Sequence, residues 1–416
     1  MKTGIKAGTK AVTKIARLFT VSMSALMISS AFAHGVISTT LYPKEDRRIE
    51  FPDTKNYLTL TFDPHTHSVF SDGHVWPNAR VAEAIRDGLD AIAITEHLEY
   101  QPHLADIPHP DRNRSYEIAA ASRGENDLMV VAGSEITRQY PAGHINAIFI
   151  NDANALLKNY VPEDPSDTLA YYKEMSKWPA QEAVNAANAQ NAFVFWNHSW
   201  WSSAFPNGIP EVPKFHKQNA KKKLLHGIEI ANGDSYSEEA FQIALDLDLT
   251  LIGVSDIHGL IDWDFKPHEG GHRPVTLVLA KEKTQASLKE ALFQGRTIVW
   301  YKNLLIAHKE NMDELLASTL KITKAEYSAK SDVLHLEIEN NSDAEFLLKN
   351  LSKHSFSYNA DILKVAPHGI TKLEVKTGKR IDKIELHFEV LNALVAPKRY
   401  AKIKLSSDTL VVTEGS

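Results

Sequence analysis

Residues 62–74 read FDPHTHSVFSDGH, which places His65, His67, Asp72 and His74 within ten positions directly after an alternating apolar run. Imidazole and carboxylate are the side chains that bind Zn²⁺, Mn²⁺ or Fe²⁺, and neutral imidazole is the commonest metal ligand. A single histidine at such a place reads as an ordinary solvated loop. Four ligand-type side chains at one strand end read as part of a metal cluster.

The same residue types return after other apolar runs. DAIAIT leads into Glu96 and His97, LMVVAG into Glu135 with His144 following, AFVFWN into His198, and TLIGVS into Asp256 and His258. Residues i and i+2 of a strand face the same way, so His65 with His67 and Asp256 with His258 each present two donors to one side. Each transition ion takes about four to six donors, counting water and shared carboxylates, so about nine ligands fit two or three ions better than one.

The elements that must carry these residues follow from the hydropathy pattern. From about residue 57 to 300, short β-rich runs (YLTLTF, DAIAIT, LMVVAG, AFVFWN, HGIEIAN, TLIGVSD, with HINAIFI and PVTLVLA) alternate with segments of helical period such as NARVAEAIRDG and SEEAFQIALDLD. That alternation predicts βα units around a parallel sheet or barrel, whose chemistry sits on the loops leaving the C-terminal strand edge. After about Leu316 the pattern becomes alternating apolar and polar residues with turn residues between, which predicts an antiparallel β-sandwich or similar module without clustered ligands.

At 416 residues the chain exceeds one typical domain. Residues 1–33 combine a basic n-region, the apolar stretch LFTVSMSALMISS and small residues before a cut between Ala33 and His34, which is the pattern of a cleavable export signal. The organisation expected is a signal over 1–33, an N-terminal extension over 34–56, a metallohydrolase barrel over 57–310 and an all-β accessory domain over 316–416. Export implies a secreted, periplasmic setting with no membrane span after cleavage. Cysteine is absent, so core burial alone holds the fold and thiolate ligands are excluded. A net charge of −6 from 46 basic and 52 acidic residues shows no nucleic-acid-binding stripe.

Taken together, HTHSVFSDG, TEH, GSEIT with GHINA, WNHS and SDIH resemble, in order, the motifs of the polymerase and histidinol phosphatase (PHP) phosphoesterases. The resemblance covers residue 57 to about 300 and is nearest to the secreted or periplasmic members. It implies a distorted, TIM-barrel-like (β/α)7 barrel with two to three divalent ions of Zn, Mn or Fe. His65, His67, Glu135 and Asp256 would hold one ion; Asp72, His97 and His258 a second; Glu135 would bridge to a third with His144 and His198. His74 is the alternative to Asp72.

The activity implied is hydrolysis of a small-molecule phosphate monoester or diester by a hydroxide shared between ions, with no protein nucleophile. Arg138 is a candidate phosphate contact, His103 and His272 are candidate proton donors, and Trp200, Trp201 and Trp263 are candidate pocket walls, each against a purely structural role. Two other readings are an amidohydrolase-type hydrolase and a non-catalytic exported metal-binding protein. Oligomeric state is left open by the sequence.

Overall fold

The structure, a computed structural model, describes residues 47–158, 160–408 and 410–413. The expected export signal over 1–33 and residues 34–46 of the extension lie outside the described residues. The rest of the extension, from Arg47, joins the folded body: Ile49 is buried, and Arg47 bridges Asp87 and Asp262.

The first ten strands are β1 Leu58–Asp63, β2 Ala91–Ile94, β3 Met129–Thr137, β4 His144–Ile148, β5 Phe193–Trp196, β6 Gly227–Asn232, β7 Ser235–Tyr236, β8 Thr250–Val254, β9 Val275–Ala280 and β10 Thr297–Tyr301. Their sheet path is β10, β9, β1, β2, β3, β4, β5, β6, with β8 also beside β6. Neighbours β1/β2, β2/β3, β5/β6 and β6/β8 are parallel, whereas β4 runs antiparallel to both β3 and β5 and β9 is antiparallel to β1. Strands β2, β5, β8 and β9 are buried along their whole length, which is why they read as continuous apolar runs.

Helices Pro77–Arg86, Arg114–Ser122, Ala180–Ala189, Glu238–Leu247 and Gln285–Phe293 fill the connections. Their ends follow local chemistry. Pro77 opens the first, Ser237 and Thr284 accept the Ala240 and Ser287 amides at N-caps, and Asp248 closes Glu238–Leu247 in the left-handed conformation.

No ladder joins β8 to β1 among the described residues, so the fold is a mixed α/β sheet rather than a barrel closed by strand pairing. The two strands meet through the segments just beyond them. The Asp256 amide donates to His65 O (3.0 Å), the His67 amide donates to Ile257 O (3.1 Å), and Thr66 and Ile257 form an isolated parallel bridge. Ser255 Oγ donates to the buried Asp63 carboxylate at 2.6 Å, and Arg273 joins that carboxylate to Asp87. The seam therefore lies at the motif residues themselves.

Beyond β11 Leu304–Ala307 and helix Lys309–Thr319, the chain forms β12 Leu320–Ser328, β13 Val333–Asn340, β14 Phe346–Asn350, β15 Ser355–Phe356, β16 Ile362–Val365, β17 Gly369–Lys376, β18 Ile384–Ala396, β19 Arg399–Ser407 and β20 Val411–Thr413. Strands β15, β17, β13, β12 and β20 make a second sheet. Strands β14, β16, β18 and β19 instead extend the first sheet, through a parallel pairing of β11 with β18. β13 alternates half-buried and buried residues, and β18 alternates buried with exposed ones over its first half, as expected of sheets packed on one face. One hydrophobic core runs from Val275, Leu277 and Ile298 of the first region into Leu336, Phe388 and Val390 of this module. No helix among the described residues is long and apolar enough to cross a membrane.

Candidate metal centre

Strand β1 ends at Asp63, and the next turn projects His65 and His67 to one point. Their Nε2 atoms are 2.9 Å apart. Glu135 Oε2, from β3, lies 3.0 Å from His65 Nε2 and 3.2 Å from His67 Nε2; Asp256 Oδ1, from the turn after β8, lies 3.2 and 3.1 Å from the same atoms. A tetrahedral ion with bonds of ~2.0–2.1 Å has ligand-to-ligand edges of roughly 3.3 Å. Five of the six separations among these four donor atoms are 2.9–3.2 Å, near that spacing, and His65, His67 and Asp256 form a group whose ligand atoms all lie within 4.8 Å of one another.

A second group forms beside the first. Asp72 Oδ1 is 3.0 Å from His258 Nε2, 3.4 Å from His97 Nε2 and 3.9 Å from His67 Nδ1. A third joins His97, Glu135 and His144, with His144 Nδ1 2.5 Å from Glu135 Oε1. The Glu135 carboxylate thus has one oxygen facing His65, His67 and His97 and the other facing His144. The His198 ring lies 4.9 Å from that of His144 and 6.5 Å from that of His65. His198 stands beside His144 but outside these groups, and the other eight ligand candidates fall within them. His74 does not: it is exposed, and only its backbone reaches the site, donating to His258 O at 2.8 Å.

The electrostatics are those of a cation site. Burial opposes charge on Glu135 and Asp256, yet the surrounding imidazoles hold both carboxyls well below their ordinary range. Burial likewise opposes a charged His67, but hydrogen bonds to Asp256 and Glu135 raise it to about 10. Protons on His65 and His67 satisfy the carboxylates in the same way that metal ions would, and metals would displace them. Burial lowers His198 to about 3, leaving a neutral imidazole with a free lone pair. Asp72 Oδ1, Glu135 Oε1 and His144 Nδ1 are buried and meet only other ligand candidates, Asp72 Oδ1 facing His258 Nε2 and Glu135 Oε1 facing His144 Nδ1, without good hydrogen-bond geometry, so the donor set fits divalent cations.

One comparison decides the family. The chain matches, at 36% identity over 86% of its length and 98% of the other's with a TM-score of 0.75, the crystal structure of a two-domain Bacteroides vulgatus protein containing a predicted PHP-like metal-dependent phosphoesterase. The chain belongs to the PHP-like metal-dependent phosphoesterases. Residues 320–406 match the DUF5001 Ig-like domain family. Likeness is much lower to a Bifidobacterium adolescentis protein assigned as a metal-dependent phosphoesterase (19% identity, 49% of this chain, 90% of that chain, TM-score 0.35). It is similar for a Chromobacterium violaceum amidohydrolase (14%, 48%, 87%, 0.33). No curated protein matches.

The PHP-like cluster is held by a layer that the ligand motifs do not announce. Glu229, fully buried in β6, places Oε1 2.7 Å from His65 Nδ1 and accepts the His198 amide (2.7 Å) and Asn232 Nδ2 (2.9 Å) on Oε2. Asn232 Nδ2 also reaches Asp256 Oδ2 at 3.0 Å. Arg80 ties two ligand loops together by donating to His67 O (2.7 Å) and His258 O (2.8 Å), while Glu83 pairs with it. Glu96 receives the Ser68 amide at 3.0 Å and Ser71 Oγ at 2.5 Å, and Ser71 Oγ in turn lies 3.2 Å from His67 Nδ1. His198 and Asp256 both have positive φ, 24° and 49°, an uncommon backbone for these residue types and one that concentrates at functional sites.

The remaining sequence candidates fall elsewhere. Arg138 is spent on Glu99, Thr137 O and Trp178 O rather than on the cavity. His272 stacks on Trp300 at 3.4 Å and lies between the Arg273 and Lys302 carbonyls. His103 and Trp263 do not line the cavity over the cluster, whereas Trp200 and Trp201 do.

Proposed function

We propose that this chain hydrolyses a small-molecule phosphate ester, monoester or diester, in a di- or trinuclear centre at the seam of β1 and β8. The observation that carries this reading is the Glu135 carboxylate, buried and shared by four imidazoles across its two oxygens, at the floor of a cavity of about 1030 Å³. His65, His67, Glu135 and Asp256 would hold one ion, Asp72, His97 and His258 a second, and Glu135 with His144 and His198 a third. Zn, Mn or Fe suits this donor set.

Bound divalent ions supply Lewis acidity, acidifying water to a pKa of roughly 7 and neutralising phosphoryl charge. The chain's own part is orientation. Glu229 at His65 Nδ1 selects the tautomer whose Nε2 lone pair faces the cluster. Asn232 fixes the carboxylate of Asp256, and Arg80 fixes the spacing between the His67 and His258 loops.

We also read residues 1–33 as an export signal, on their basic and apolar segments, so that the ester is met in the periplasm or outside the cell. The curled sheet corresponds, in this reading, to the distorted barrel that the family resemblance implies, with the β module as an accessory. Glu135→Gln is the test of the site: hydrolysis of p-nitrophenyl phosphate and bis(p-nitrophenyl) phosphate is expected to fall to background with circular dichroism unchanged. Retained turnover would place the chemistry elsewhere.

A further inference from the structure

The cavity above the cluster is large enough for a drug-sized ligand, yet among the described residues no lysine or arginine lines it. Arg80 and Arg138, the arginines behind the ligand loops, are both committed to backbone carbonyls and buried glutamates. Among the described residues, the cavity's only ionisable groups besides tyrosines are the ligand candidates themselves, and these include the carboxylates of Asp72, Glu135 and Asp256. Positive charge would therefore come from bound ions at a single locus. A substrate bearing a second anionic group away from the reacting phosphorus would find no counter-charge there.

The walls have a different character. Trp201 is half exposed (50%), with its ring edge-on to His144 and His198 at 5.1 and 5.3 Å. Tyr100 stands edge-on to His97 at 5.9 Å, with Tyr172 a further 6.5 Å beyond it. Exposed large aromatic faces gathered directly around a polar cluster are costly in water and are relieved by a flat organic partner.

Resting on the phosphoester reading above, we propose that the site selects esters whose single phosphoryl group is joined to an uncharged, flat organic group seated against Trp201, and rejects esters carrying a further anionic group. The ions take the phosphoryl oxygens, the aromatic wall takes the organic face, and the missing cations set the exclusion.

Calorimetric binding to the metal-loaded chain separates these elements without depending on leaving-group reactivity. The probes are methylphosphonate, phenylphosphonate and 4-phosphonobenzoate. Phenylphosphonate is expected to bind about tenfold or more tightly than methylphosphonate, and the added carboxylate of 4-phosphonobenzoate to cancel that gain. Trp201→Ala should shrink the phenyl-to-methyl ratio and Trp201→Phe should restore most of it, a pattern that general loss of structure would not produce. Equal affinity for the methyl and phenyl compounds, or tighter binding of the carboxylate, would overturn the proposal while leaving the phosphoester reading in place. Failure of all three to bind the loaded chain would contradict both.

Discussion

At the scale of single residues, the cluster is sensitive to groups that touch no ion. Glu229 carries the clearest case, because one carboxylate orients His65, caps the strained His198 amide and, through Asn232, steadies Asp256. Glu229→Gln is expected to lower metal affinity or turnover about 10- to 100-fold, read by metal titration beside steady-state kinetics. No change in either would reduce Glu229 to packing. Gly73 is the second case. A Cβ there would sit 2.7 Å from Ser68 N and 2.8 Å from His67 C, against the backbone of a ligand turn. Gly73→Ala should cost about 1–3 kcal/mol of stability, measured by denaturant titration, and weaken metal binding with it.

At the scale of elements, most of the nine ligand candidates were legible because they sit just past an apolar run, where strand period and residue type can both be read, while Glu135 lies within β3 and His144 opens β4. Glu229 was not. It lies inside β6, whose residues are buried on both faces, so no polar–apolar alternation singles out an inward acid as functional. Arg138 was legible as a cation near Glu135 but not as the buried partner of Glu99, since that pairing depends on how the loop after β2 folds back. Helix Lys214–Lys221 contributes another long-range effect. His216 stacks on Trp196 at 4.0 Å with Nε2 2.7 Å from Ala142 O, and burial lowers it to about 3 against that acceptor's opposing pull. An unfolded histidine titrates near 6.5, so the unfolded chain gains protons first as pH drops. The stability His216 contributes is thus complete above about pH 6.5 and is lost as pH falls toward 3. Melting temperature followed from pH 7 to pH 4 should decline less steeply in His216→Gln than in the parent chain; parallel profiles would show that His216 does not carry this dependence.

At the scale of the whole molecule, composition and periodicity foretold an α/β region followed by a β module, and the Ig-like match agrees with the latter. What local pattern could not show is that β18 pairs in parallel with β11, or that one core is shared across the two regions, since both depend on contacts between segments far apart in the chain. Removing residues 320–416 would uncover Leu305 and Ile306 of β11 along with the core beneath them. The full chain is therefore expected to melt in a single calorimetric transition, and the shortened one to be recovered only as aggregate. Two separate transitions would mean that the regions fold independently. The central claim concerns the ions. Metal content per chain, determined after purification without chelator and followed by assay of p-nitrophenyl phosphate and bis(p-nitrophenyl) phosphate, tests it most directly. Two to three divalent ions per chain, with turnover of either ester that chelation abolishes and metal restores, is the predicted result; a chain that holds no ion, or turns over esters undiminished by chelator, would contradict it.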